Sequence, residues 1–176
     1  AGADLTEFLT APSPIIARQV RWERDVWGLW LSIEKPFIVA LHGYVLGDGV
    51  EMALCCDVRV ASEDAQFGTP EMGLGIITAA GGSQTLPRVV GQAHALDMLL
   101  TGRWIKAEEA RRMKLVNKVV PRADLLPTVE KMADKIKSYD PRAVSYAKQA
   151  VTHGLDLSLE RGLELENRLG RLLEVG

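Results

Sequence analysis

The chain has 176 residues, 47% of them hydrophobic and 25% charged, with a net charge of −2. That is the composition of one globular domain large enough to bury a core, and so small a charge offers no basic surface for nucleic acid. No apolar run approaches the roughly 18 residues that a membrane span needs. The two cysteines, Cys55 and Cys56, are adjacent, so they read as buried reduced thiols rather than a metal motif or a disulfide framework.

The opening "AGADLTEF" has the character neither of an initiator region nor of a signal peptide, and reads as a start within a structured unit. Ser13-Pro14 suits a helix N-cap and first helical position. Ile16, Val20, Trp27, Trp30 and Leu31 then recur at near-helical spacing through Glu34, and Lys35-Pro36 ends the helix. Trp22, Trp27 and Trp30 read as core or interface. "FIVALHG" (37–43) is expected as a buried strand, followed by a Gly-rich turn and a short helix from about Val50 to Cys55. "DVRVAS" (57–62) alternates like a strand, and "AQFGTPEMGLG" (65–75) reads as strand plus loop. "AAGGSQTLPRVVG" is a Gly-rich entry to a helix that Pro87 can only begin or kink.

From about residue 92 the pattern turns helical. "AHALDMLLTG" ends at Gly102, "KAEEARRMK" is a short helix with a solvated charged face, and "LVNKVV" is a brief strand before Pro121. Asp140-Pro141 caps a helix ending at Gly154, and Ser158 begins a last one with Leu159, Leu163, Leu169 and Leu172 on a stripe. The whole is an α/β pattern with a soft boundary near residue 95.

Most catalytic constellations fail. "GLGIIT" lacks the third glycine of a dinucleotide turn, Ser83 sits in "GGSQT" and not in a nucleophile elbow, and His42, His94 and His153 lack metal-ligand spacing. What is left is glycine and glutamate. Gly43, Gly47 and Gly49 surround a strand-to-helix turn whose free amides favour an oxyanion or other anion. Glu51 falls in the first helical turn, where the helix start favours an ionised carboxylate, and hence a base. Glu71, after Pro70 and among Met72, Leu74, Ile76 and Ile77, has the apolar surroundings that raise a carboxyl pKa and suit an acid. Two carboxyls in unlike environments suggest paired acid–base work; the alternative is two surface glutamates on loops.

At these residues the sequence resembles the enoyl-CoA hydratase/isomerase (crotonase) superfamily. The stretches are "AGADLTEF", "KPFIVALHGYVLGDGVEMALCCDVRVASEDAQFGTPEMGLG", "AAGGSQTLPRVVG" and "LTGRWIKAEEARRMKLVNKVVP", in the family's order and along essentially the whole chain. The resemblance implies a spiral of β-β-α units followed by a helical trimerisation region. Residues 1–95 would be the second half of the spiral core with the active site, and residues 96–176 a mainly helical oligomerisation region. The opening β-β-α units and the last C-terminal helices would be absent from this sequence. It further implies hydration of a 2-enoyl-CoA to a 3-hydroxyacyl-CoA in fatty-acid or aromatic-acid degradation, with Glu51 and Glu71 as the catalytic pair. The backbone amides of Ala3 and Asp48 would form the oxyanion hole. Ala1, Gly2, Asp4, Leu5, Thr6, Gly49, Met72 and Ala79 would contact substrate and CoA. No metal and no separate cofactor is expected, since coenzyme A belongs to the substrate. The expected assembly is a homotrimer or a dimer of trimers, without nucleic-acid or membrane partners. The expected compartment is the bacterial cytoplasm, a mitochondrial one staying open because of how the chain begins. The competing readings are an enoyl-CoA Δ3,Δ2-isomerase, for which Glu51 would be expendable, and a non-enzymatic acyl-CoA- or RNA-binding homologue.

The sequence also departs from the family pattern. Asp48 stands where the family has glycine; its amide can still donate, and its carboxylate, which would oppose a developing enolate, is expected to turn away. Thr78 and Ala79 take the usual Pro-Gly positions of a "PGAGG" segment, beside the acyl pocket, and Thr6 replaces a frequent lysine near the CoA site.

Overall fold

A computed structural model of the chain describes residues 25–174 together with Ser13, Ile15, Ile16 and Glu23. Ala1, Gly2, Ala3, Asp4, Leu5, Thr6 and Trp22 lie outside the described residues. The amide of Ile16 donates to Ser13 Oγ at 3.2 Å, the bond expected of the N-cap. Helix α1 is described over Val26–Ser32 and starts on an Asp25 cap whose carboxylate accepts from the Gly28 amide at 2.8 Å.

Among the described residues, six strands form two three-stranded sheets. Strand β1 (Ile38–Leu41) lies in the first sheet and β2 (Tyr44–Leu46) in the second, and the chain turns between them at Gly43, whose φ is +57°. Helix α2 (Asp48–Leu54) follows. The sequence then repeats the pattern: β3 (Val58–Ser62) joins the first sheet, β4 (Gln66–Gly68) the second, a 3₁₀ turn covers Pro70–Leu74, and α3 (Gly82–Val90) follows. Strand β3 lies parallel to β1 with Ile38 opposite Val58, and β4 parallel to β2 with Leu46 opposite Gly68. Two β-β-α units therefore stack in register, each contributing one strand to each sheet.

Helix α4 (Gln92–Thr101) leads to β5 (Ile105–Lys106), antiparallel to β4. Helix α5 (Ala107–Arg112) leads to β6 (Lys118–Val120), parallel to β3. After a 3₁₀ turn at Arg122–Asp124 come α6 (Leu125–Lys137), α7 (Pro141–Gly154) and α8 (Leu159–Glu174). The short strands β2 and β5 were not expected: three and two residues are too few for an alternation to register. Pro87 does not begin its helix but sits inside α3, with Val90 still helical after it. The bond it withholds from the Ser83 carbonyl is lost near the helix N-terminus, where little of the ladder depends on it.

One apolar cluster runs from Leu41 to Val116 through Phe67, Leu86, Met98, Ile105 and Leu115, so it continues on both sides of residue 95, which lies within α4. A smaller cluster of Val60, Val120 and Leu125 seats α6 on the first sheet. Helix α7 buries no residue fully; Lys148 anchors it, donating to Asp57 Oδ2 at 2.9 Å and to the Lys35 carbonyl at 3.0 Å.

Arg59, 8% exposed, closes the centre of the first sheet. Its guanidinium donates to the carbonyls of Leu115 (2.7 Å) and Cys56 (2.5 Å), while its backbone exchanges two 2.8 Å bonds with Asn117. Arg59→Met leaves both carbonyls buried without a donor. It is expected to lower unfolding free energy by about 2–4 kcal/mol, read as a lower urea midpoint at unchanged slope.

Candidate active site

The site forms where β2 and β4 end side by side. Because Leu46 pairs with Gly68, the next residues of both strands leave the second sheet at the same edge. Gly47 turns the chain into α2 with φ +53° and ψ −121°, and its amide donates to the Gly68 carbonyl at 2.9 Å, tying one strand end to the other. Glycine is required there twice over. The φ is unfavourable for an L-residue, and a Cβ at this position would stand 2.7 Å from Glu71 Oε1. Gly47 has no side chain to cap α2, so the first amides of the helix, at Asp48 and Gly49, have neither a cap nor an intrahelical acceptor.

Glu51 is 2% exposed and Glu71 9%. Glu51 Oε1 accepts from the amides of Gly82 (2.7 Å) and Ala80 (3.0 Å), at the glycine-rich entry to α3. A Cβ on Gly82 would come within 2.8 Å of that oxygen. The second oxygens of both glutamates, Oε2, are buried without a hydrogen-bond partner among the described residues. Each glutamate thus keeps one oxygen packed against glycine backbone and one open to a third party.

Burial pushes the Glu51 carboxyl up to about 7, against the lowering effect of the Gly82 and Ala80 amides and with a further push from Asp48. The expectation of a plainly ionised base is therefore corrected. Desolvation outweighs the field of a seven-residue helix and holds the Glu51 carboxyl well above the ordinary glutamate range. Glu71 is raised too, first by burial, with its own amide lowering it and Asp48 raising it.

Asp48 supplies the second correction. Its carboxylate does not turn away: one oxygen each from Asp48, Glu51 and Glu71 all lie within 4.8 Å of one another. Asp48 and Glu51 are three apart on one helix, which puts them on the same face, and that spacing was readable in the sequence. Three hard oxygen donors could also meet a divalent cation, which takes six or more oxygens in all; carboxyls raised by burial favour the proton.

Beside Glu71 lies a cavity of about 150 Å³, lined by Met72, Ile76, Ile77, Thr78 and Leu100 among others. Thr78, 3% exposed, has its hydroxyl oxygen buried there without a partner among the described residues. Met72 is 42% exposed, and Ala79, which precedes the amide that holds Glu51, is also exposed. Gly49 lines a different cavity, of about 340 Å³ along β1 with Trp30 and Phe37, which neither glutamate lines. Sequence reasoning missed the amides of Ala80 and Gly82; the Gly81-Gly82 pair was their only trace. Cys55 and Cys56 are buried free thiols, as expected, and burial pushes Cys56 to about 11.

Stacked β-β-α units, with two buried carboxyls at the mouth of a glycine turn, define an α/β protein of the crotonase fold. The sequence profile of the enoyl-CoA hydratase/isomerase family matches residues 1–172, and the chain belongs to that family. It is 43% identical over 167 residues to a crotonyl-CoA hydratase of Syntrophomonas wolfei, covering 94% of this chain and 64% of that one. It is 41% identical over 172 residues to a probable mitochondrial enoyl-CoA hydratase of Dictyostelium discoideum, covering 96% and 60%. Among solved structures, an enoyl-CoA hydratase subunit from Geobacillus kaustophilus superposes with a TM-score of 0.94 at 35% identity, over 100% of this chain and 68% of that one. The chain spans about 60–65% of the length of the curated relatives it matches first.

Gly82→Ala is expected to force Glu51 off its two amides. Those amides lower its pKa, so their loss moves the Glu51 titration further up from about 7. Carboxyl-carbon NMR across pH 5–9 reads the shift, and alanine in place of a helical glycine leaves α3 no less stable.

Proposed function

We propose that the protein is an enoyl-CoA hydratase that adds water across the 2,3 double bond of a 2-enoyl-CoA. The observation that carries this reading is the pairing of Glu51 and Glu71, each buried with one unpartnered oxygen, at the ends of adjacent parallel strands. The amide of Asp48, at the uncapped start of α2, would receive the thioester oxygen, joined by that of Ala3, which lies outside the described residues. Glu51 takes a proton from water as its oxygen bonds to C3, and Glu71 gives its proton to C2 as the enolate collapses. The proton on Glu51 then returns to Glu71 within the carboxyl cluster, and the net change is one water added. The titration of Glu51 near neutrality suits a group that must accept and release a proton in each cycle.

The substrate on this reading is an acyl-CoA thioester, with coenzyme A as part of it and no separate cofactor. Ala1, Gly2, Asp4, Leu5 and Thr6 keep their proposed role along CoA by resemblance alone. Met72, which lines the cavity beside Glu71, is proposed to meet the acyl chain, and Ala79 and Gly49 to flank it. Assembly as a trimer, or a dimer of trimers, is supported by apolar side chains left exposed on the last two helices and their connection, among them Val151, Leu155, Leu159 and Leu163. The proposed division into residues 1–95 and 96–176 rests on the resemblance alone, since one apolar cluster continues across residue 95. No described helix is long and apolar enough to cross a membrane, and the bacterial cytoplasm is the compartment proposed.

The test is hydration of crotonyl-CoA by the full-length protein. Glu51→Gln and Glu71→Gln are each expected to lower kcat by about 10²–10⁴ with CoA-thioester binding retained. Glu71→Gln at full activity would remove the assignment. Glu51→Gln still converting a 3-enoyl-CoA to the 2-enoyl isomer would favour the isomerase reading.

A further inference from the structure

We propose that the Asp48 side chain is a positioning group of the acid–base unit, its carboxylate standing beside Glu51 and Glu71 and thereby setting the pH at which the pair works. Its effect on rate rests on the hydratase reading; its effect on proton occupancy does not.

The placement is specific. Asp48 begins α2 and Glu51 follows on the same face, while Glu71 arrives from the 3₁₀ turn after β4, and the three carboxyls lie within 4.8 Å. Among the described residues, the groups that face this cluster are few. Along α2, the Cys55 thiol lies in the field of Glu51 and is raised by burial first and by that carboxylate second. The entry to α3 brings amides, not cations, and Arg88, the basic residue of α3, donates instead to the Gln84 carbonyl at 2.9 Å. From β2 comes Tyr44, whose ring packs edge-on against Trp104 at 5.6 Å, and β4 carries no titratable side chain. Among the described residues no lysine or arginine forms an ion pair with any of the three carboxyls. Burial and the neighbouring Asp48 carboxylate both oppose ionisation of Glu51 and of Glu71.

The direction follows. Asp48 raises both glutamates. It delays ionisation of Glu51, the base, and keeps Glu71, the acid, protonated to higher pH. Both limbs of a bell-shaped rate profile therefore move up. A glycine here, as in the family pattern, lacks the carboxyl while presenting the same backbone amide.

The test separates the carboxylate from the amide. Asp48→Asn keeps the backbone and the side-chain shape and removes the charge, and Asp48→Glu keeps the charge. In the full-length protein with crotonyl-CoA, Asp48→Asn is expected to shift both limbs of the kcat profile to lower pH, raising the ratio of the rate at pH 6 to that at pH 8 several-fold. Asp48→Glu holds the limbs near the wild-type positions. Infrared spectroscopy of the protein with ¹³C-labelled glutamate carboxyls reads occupancy directly, and the protonated C=O band should disappear at lower pH in Asp48→Asn. If Asp48 only stabilises the start of α2, Asp48→Asn lowers the melting temperature and leaves limbs and band in place, which overturns the inference. If the wild type hydrates no enoyl-CoA, the proposed function fails, and the infrared titration alone decides this inference.

Discussion

The bond from the Gly82 amide to Glu51 Oε1, 2.7 Å long and shielded from water, is the interaction on which the site depends. It joins the helix of the first β-β-α unit to the helix of the second. A carboxylate so deeply placed would be costly to keep without donors. The amides of Ala80 and Gly82 reduce that cost without adding a counter-charge, so the carboxyl is held in place but not held ionised. An arginine in their place would have pulled the pKa down and taken Glu51 out of proton exchange near neutral pH. Backbone dipoles provide a partner of intermediate strength.

The glycines follow from the same constraint. Gly47 and Gly82 are the positions where a methyl group would stand 2.7 and 2.8 Å from the inner oxygens of Glu71 and Glu51 respectively. Each glutamate is thus walled on one side by backbone that cannot carry a side chain. The Oε2 atoms are left buried without a hydrogen-bond partner among the described residues.

Much of this was legible in the sequence, for physical reasons that differ by residue. The alternation of "DVRVAS" and the apolar run at Ile38–Leu41 announced β3 and β1 because both are long enough to show a pattern, although only Leu41 of β1 is fully buried. Glu51 and Glu71 stood out through their glycine and proline surroundings and through resemblance. The partners of Glu51 lie 29 and 31 residues away, and no local pattern predicts a backbone amide's long-range acceptor. The ionisation of Glu51 was misjudged because a helix start is visible in sequence and burial is not. Asp48 was misjudged because its side chain was assigned by what an enolate would tolerate, while the three-residue spacing to Glu51 had already placed it on the same face.

No single β-β-α unit could make this site. The first unit supplies the turn and Glu51, the second supplies Glu71 and the amides that fix Glu51, and the parallel pairing of β2 with β4 brings the two contributions to one edge. The spacing between the glutamates in sequence is therefore the length of one turn of the fold, from the start of one helix through β3 and β4 to the next. An insertion or deletion within β3 or β4 would shift a strand against its partner and so alter the path that delivers Glu71 to Glu51. The register of two short parallel strands, and not the strength of any one contact, decides whether the carboxyls meet.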